Sequence, residues 1–132
     1  MIEDIIAITN LINLYGYIID EREFSRTHEL FTEDSVYDVT DFDAGVHVGV
    51  QAIVNLWRAA DVHPLAHHAT NVIVTMEGSD RARVISKGIG VRPKGYAGTA
   101  TYRDVVVKTP VGWRIAERIA VMRRPERIPQ ES

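Results

Sequence analysis

An α+β fold, with helices gathered in the first half of the chain and one sheet built from the second, is what the 132-residue sequence predicts. Apolar residues recur at helical spacing from Ile2 to Asp20 and again through Val50, Ile53, Val54 and Trp57. From Pro64 onward that periodicity gives way to long β-rich runs, separated by segments rich in Gly, Pro, Ser and Asp, the residues of tight turns.

Taken in order, the first helix carries Ile5, Ile8, Ile12, Tyr15 and Ile19 on one side, with Leu11, Leu14 and Ile18 beside them. So broad an apolar face predicts a mostly buried helix, and it leaves Thr9, Asn13, Gly16 and Asp20 on a narrow polar stripe. A second short helix is expected over Glu23 to Phe31, entered through the charged turn DERE and left at TED. SVYDV then reads as a short strand, DFDAGVHVG as a loop running into another strand, and VQAIVNLWRAAD as a third helix. The runs HHATNVIVTM, ARVISKGIGV, GTATYRDVVVK and GWRIAERIAVMRR follow, joined by EGSD, RPKGYAG and TPVG, and predict a four-stranded antiparallel meander. Residues 1–132 read as one domain, long enough to bury roughly two-thirds of its unfolded surface.

Composition narrows the function. Hydrophobic residues make up 45% and charged residues 25%, as in an ordinary folded protein, and the net charge of −3 gives no general attraction to nucleic acid phosphates. Arg114, Arg118, Arg123, Arg124 and Arg127 crowd the C-terminal end, where the solvated face of a terminal strand accounts for them. Without cysteine there is no disulfide framework, thiolate metal site or thiol nucleophile. The N-terminal segment is acidic and lacks a cleavage site, and no run reads as apolar enough to span a membrane, so a cytoplasmic location is expected. Metal binding is not expected, because the adjacent His67 and His68 point to opposite faces of a strand and His28, His47 and His63 are scattered. No phosphate-cradling glycine loop or GxSxG elbow is present, and no cofactor is expected.

Four segments in this order, YGYIIDEREFSRTHELFTEDSVYDV, GVQAIVNLW, HHATNVIV and TYRDVVVKTPVGWRI, resemble the SnoaL-like group of the nuclear-transport-factor-2-like (NTF2-like) superfamily over nearly the whole chain. The resemblance implies a cone-shaped α+β fold in which three N-terminal helices pack in a strongly curved, mostly antiparallel sheet, with a pocket open at one end. It also implies homodimers through the outer sheet face. Members of the superfamily include scytalone dehydratase, steroid isomerases, polyketide cyclases, bile-acid dehydratases and non-catalytic adaptors, so fold alone does not fix activity.

Dehydratases of this group pair an Asp at the end of the first helix with a His at the start of the first long strand, positions matched here by Asp20 and His68. The pairing implies that His68 faces inward and His67 outward. An imidazole changes charge near neutral pH, and a carboxylate beside it fixes its tautomer and stabilises its cation. Read without the resemblance, Asp20 is equally a solvated or turn-capping residue. Tyr15, five residues before Asp20, matches a catalytic Tyr of bile-acid dehydratases and could donate to a substrate oxygen, although its spacing with Ile8, Ile12 and Ile19 also fits a core position. Tyr37, Trp57 and Tyr102 would supply substrate-binding walls. Asp104 shares a strand face with Tyr102 and would be a second acid or a structural partner of Arg118.

One departure concerns scytalone dehydratase, whose second pocket histidine has no match in YAGTATY. Arg103 and Asp104 face opposite ways in a strand, unlike the Asp-Arg-Asp network of limonene epoxide hydrolase. The expected activity is therefore cofactor-independent proton transfer, giving dehydration, isomerisation or cyclisation of a hydrophobic, cyclic, oxygenated small molecule. The alternative is a non-catalytic ligand-binding or dimeric scaffold module. No nucleic acid or membrane partner is expected.

Overall fold

The apolar spacing of the N-terminal segment produces a 19-residue helix, α1 (Ile2–Asp20), in the computed structural model, which describes residues 1–61 and 63–131. Ile8, Ile12 and Ile18 are completely buried, each contributing about 1.5–3 kcal/mol of apolar burial. Ile2, Ile6 and Tyr17 are exposed, so the helix is amphipathic and half-buried rather than mostly buried. By length and apolar composition α1 also meets the criterion for a membrane-spanning helix, which corrects the expectation that no run does. In this fold it is the core helix, packed chiefly on one long strand.

The second expected helix is a six-residue 3₁₀ run, Phe24–Glu29. Too short for a stable α-helix, it is closed by the Thr27 hydroxyl donating to the Phe24 carbonyl at 2.7 Å. Phe31 begins strand β1 (Phe31–Asp38) instead of ending a helix. A short strand β2 (Val46–Val48) and helix α2 (Val50–Ala59) follow as expected, so among the described residues the helices before the long strands are two α-helices and two 3₁₀ runs, Phe24–Glu29 and Thr40–Phe42.

The four long runs form β3 (Ala66–Met76), β4 (Arg81–Val91), β5 (Ala97–Thr109) and β6 (Gly112–Met122), an antiparallel meander. The full sheet has six strands in the order β2-β1-β6-β5-β4-β3, and β1 lies parallel to β6, making the sheet mixed.

Two β-bulges decide which side chains face the core. In β3, Thr70 pairs with Lys87 and Ile73 with Ile85, so Asn71 and Val72 together oppose Ser86. Asn71 adopts φ 54°, a left-handed conformation that Asn tolerates better than the β-branched residues around it. In β6, Ala116 is the extra residue between Ile115, paired with Val106, and Glu117, paired with Val105. An extra residue reverses the in-out alternation beyond it. Trp113 and Ile115 therefore face inward on one side of the β6 bulge, and Arg118 and Ala120 on the other.

The C-terminal arginines are not merely a solvated face. Arg118 is fully buried. Arg127 donates from both Nη atoms to the Asp41 carboxylate at 2.6 Å, while Asp41 also accepts the Met122 backbone N–H at 2.6 Å. Arg127 and this N–H hold the Asp41 carboxyl down at about 2. The strap Thr40–Phe42 is thereby tied to the chain end. Because the folded pKa is depressed, the clasp contributes its full stability above the ordinary value of 3.8 and loses it as pH falls through about 2. An NMR titration of Asp41 should find its pKa raised in Arg127→Ala but still below the ordinary value, because the Met122 N–H remains.

Candidate active site

Gly16 brings the helix onto the sheet. A Cβ at this position would lie 2.6 Å from the His67 carbonyl oxygen, so only glycine permits so close a crossing of α1 over β3. Asp20 follows one turn later on the same helical face. There its Oδ2 accepts the His67 backbone N–H at 2.8 Å and its Oδ1 lies 2.5 Å from His67 Nδ1. The stripe holding Gly16 and Asp20 is thus a docking seam at its C-terminal end: Gly16 is buried and the Asp20 side chain is 15% exposed.

The imidazole that meets Asp20 is His67, and this corrects the expectation for His68, which is exposed. The cause is the bulge at Asn71. Val72, Val74 and Met76 pack against the core, and extrapolating their alternation backward puts His68 inside; across the bulge the inward positions become Ala69 and His67. An Asn within a β-branched run was the signal available in the sequence.

Beside the pair lies a half-open cavity of about 300 Å³. Tyr15 and Ile19 of α1 line it with Tyr37, Trp57, His67 and Tyr102, while Phe42, His63, Pro64 and Arg92 are among the residues completing its wall. All four expected aromatics, Tyr15, Tyr37, Trp57 and Tyr102, thus stand around open space, and they do not fill it. Trp57 also packs on Tyr15 and Tyr37, with ring centroids 6.0 Å away in both cases, so it serves as wall and as core. Sequence reasoning missed Gly16, Phe42, His63 and Arg92, none of which belongs to a pattern that local spacing reveals.

The Tyr15 and Tyr37 hydroxyls hydrogen-bond to each other at 2.5 Å, leaving one O–H of the two to donate elsewhere. Burial pushes the Tyr15 phenol well above its ordinary value and raises Tyr102 to about 12, against the opposing pull of Arg118. Both phenols therefore remain protonated donors through neutral pH and do not act as bases. His67 donates from Nδ1 to Asp20, which leaves Nε2 as the acceptor.

Asp104 does not reach the cavity, which corrects the expectation of a second acid in the substrate site and leaves its other reading, a structural partner of Arg118. The two Asp104 oxygens accept Arg118 Nε and Nη2, each at 2.8 Å, and both side chains are buried. The guanidinium lies 4.2 Å from the ring centroids of both Tyr15 and Tyr102, so the pair forms a rigid charged brace behind the aromatic wall. Among the described residues, no group of three or more His, Asp or Glu side chains could hold a metal ion.

The crossing of α1 over β3 has a testable consequence. Gly16→Ala gains about 1 kcal/mol of helix propensity but presses a Cβ on a backbone oxygen, an overpacking cost of about 1–3 kcal/mol. Net destabilisation by up to about 2 kcal/mol is expected in urea denaturation, together with weakening of the Asp20–His67 contact.

A curved mixed sheet wrapped on one helix is an architecture shared with solved structures described as an NTF2-like protein and as having a cystatin-like fold. The sequence profile of the SnoaL-like domain matches residues 1–119, and the chain belongs to that family. A provisionally named aromatic ring hydroxylase from Novosphingobium aromaticivorans has a similar structure, with 27% identity, TM-score 0.79, and coverage of 95% of this chain and 92% of that one. A provisionally named scytalone dehydratase from Novosphingobium aromaticivorans DSM 12444 shares the fold at 21% identity and TM-score 0.77, over 93% and 86% of the two chains. The hexachlorocyclohexane dehydrochlorinase LinA type 2 shares it at 16% identity and TM-score 0.78, over 93% and 87%. None of the curated proteins matches the sequence.

Proposed function

We propose that the protein is a cofactor-independent lyase or isomerase that moves a proton on a hydrophobic, cyclic, oxygenated small molecule, with His67 as the proton carrier and Asp20 as its positioning partner. The observation that carries this reading is the Asp20–His67 hydrogen bond at the edge of an aromatic cavity whose two shifted phenols stay protonated. His67 Nε2 takes a proton from the carbon next to a substrate carbonyl, and Asp20 stabilises the imidazolium that results. Tyr102, or the free O–H of the Tyr15–Tyr37 pair, donates to the carbonyl oxygen as charge develops there. In a dehydration, the carbon–oxygen bond at the next carbon then breaks, and the imidazolium returns its proton to the leaving hydroxyl as water. In an isomerisation the same proton returns to a different carbon.

Membership of the SnoaL-like family and the dehydratase and dehydrochlorinase names among proteins of this fold support the reaction class. The test is deuterium exchange in D₂O with a panel of cyclic ketones such as 2-tetralone and cyclohex-2-enone, followed by NMR. Exchange next to the carbonyl above the buffer rate is the expected result. A whole panel exchanging only at the buffer rate, while the same compounds bind, would favour the ligand-binding module instead.

A further inference from the structure

Behind His67 the cavity continues into a side chamber of about 180 Å³, and Phe42, Pro64, His67, Arg92 and Tyr102 line both spaces. The register explains its existence. His67 pairs with Gly90 and Gly90 with Gly98; Ala69 pairs with Gly88 and Gly88 with Ala100. Directly opposed residues share one face of a sheet, so the inner surface of three strands carries almost no side chains between His67 and Met122.

The three glycines are not equivalent. A Cβ at Gly88 would strike the Tyr102 ring at 2.3 Å, and one at Gly90 would lie 3.0 Å from Pro64, so packing accounts for both. A Cβ at Gly98 would meet nothing within 4 Å and would project into open space. Besides His67 and Thr99, two polar residues line this space, Tyr102 and Arg92. The Tyr102 side chain is 9% exposed and lines both chambers, and its hydroxyl, though close to Tyr15, makes no well-aligned hydrogen bond among the described residues. Arg92 follows Gly88 and Gly90 on the inner face and has no carboxylate partner among the described residues. Among the described residues no Asp or Glu lines either chamber, and the other ionisable side chains there besides the phenols are His63 and His67.

We infer that the ligand is a two-lobed organic acid: one apolar lobe occupies the main cavity beside His67, the other lies on the glycine floor, and a carboxylate near the branch pairs with Arg92 at the junction. The inference rests on the main cavity being the substrate site and adds the class of compound it takes. An arginine binds a carboxylate through two charge-assisted hydrogen bonds, which gives an acid its advantage over the matching amide. The apolar floor takes the second lobe by desolvation.

Calorimetric titration with diphenylacetate, diphenylacetamide and phenylacetate tests both parts. The wild-type protein is expected to bind diphenylacetate about tenfold more tightly than the amide, and Arg92→Gln to erase that preference while leaving amide binding unchanged. Gly98→Leu, which fills the side chamber, is expected to weaken diphenylacetate about tenfold and to leave phenylacetate unaffected. If thermal melting shows that Gly98→Leu is damaged, Gly98→Ala supplies a smaller loss in the same direction. Equal affinity for acid and amide, or a preference that survives Arg92→Gln, would overturn the anionic arm. Undiminished diphenylacetate binding in Gly98→Leu would overturn the second lobe, and no binding at millimolar concentration would overturn both. Repeating the titrations with His67→Asn separates this result from proton transfer, because its binding reports on the chambers and its turnover on the imidazole.

Discussion

Alanine in place of His67 is expected to lower turnover by about 10²–10⁴-fold, the usual contribution of a positioned proton carrier, while alanine in place of His68 leaves it unchanged. The two residues are neighbours in sequence with the same side chain, so the contrast controls for composition and charge. His68 is exposed, whereas the His67 side chain is 18% exposed and tied to Asp20. Circular dichroism and urea denaturation of both variants establish that the fold survives, and initial rates with a compound exchanged by the wild type supply the comparison. Loss of activity in His68→Ala with retention in His67→Ala would mean that the bulge at Asn71 does not set the facing of this strand.

The second large effect concerns stability. Asp104→Ala is expected to destabilise the fold by about 3–5 kcal/mol, because it leaves the Arg118 guanidinium uncompensated inside the protein. Among the described residues Arg118 Nη1 already lacks a hydrogen-bond partner, so losing the carboxylate would leave the guanidinium still less satisfied. Replacing both members, as in Asp104→Leu with Arg118→Met, removes the unpaired charge and is expected to recover a large part of that loss. Urea denaturation of the single and double variants closes the cycle. A single variant costing under about 1 kcal/mol would contradict the brace, since that is the range of solvent-exposed ion pairs.

Much of the architecture was legible because it is written in local periodicity. The spacing of Ile8, Ile12, Tyr15 and Ile19 marks α1, and the turn residues EGSD, RPKGYAG and TPVG divide the meander with errors of only a residue or two. The six-residue run at Phe24 and the early start of β1 were harder to place, since a segment that short has no full turn of pattern to read.

The site was legible in its residue types and not in its facing. Asp20, Tyr15, Tyr37, Trp57 and Tyr102 all stand at or beside the cavity, but the match to the family's Asp–His pair selects the wrong histidine, and strand alternation counted back from Val74 and Val72 would not have corrected it. One residue of bulge reverses every position beyond it, and the bulge is a property of pairing with β4, not of β3 alone. Gly16 was grouped with a polar stripe for a similar reason. Its importance lies in the His67 carbonyl it touches, 51 positions onward. Asp104 and Arg118 come together through a second bulge in β6, which turns Arg118 inward from a segment that otherwise reads as solvated.

The central claim is that an Asp20–His67 pair, rather than one with His68, stands beside the cavity. Long-range ¹H–¹⁵N NMR of the imidazoles tests it most directly, with His67 assigned by its absence from His67→Asn. The account predicts a far-downfield Nδ1 proton on His67 that disappears in Asp20→Ala, with the His68 signals unmoved. A His67 spectrum indifferent to Asp20→Ala, or a His68 spectrum that responds to it, would contradict the account.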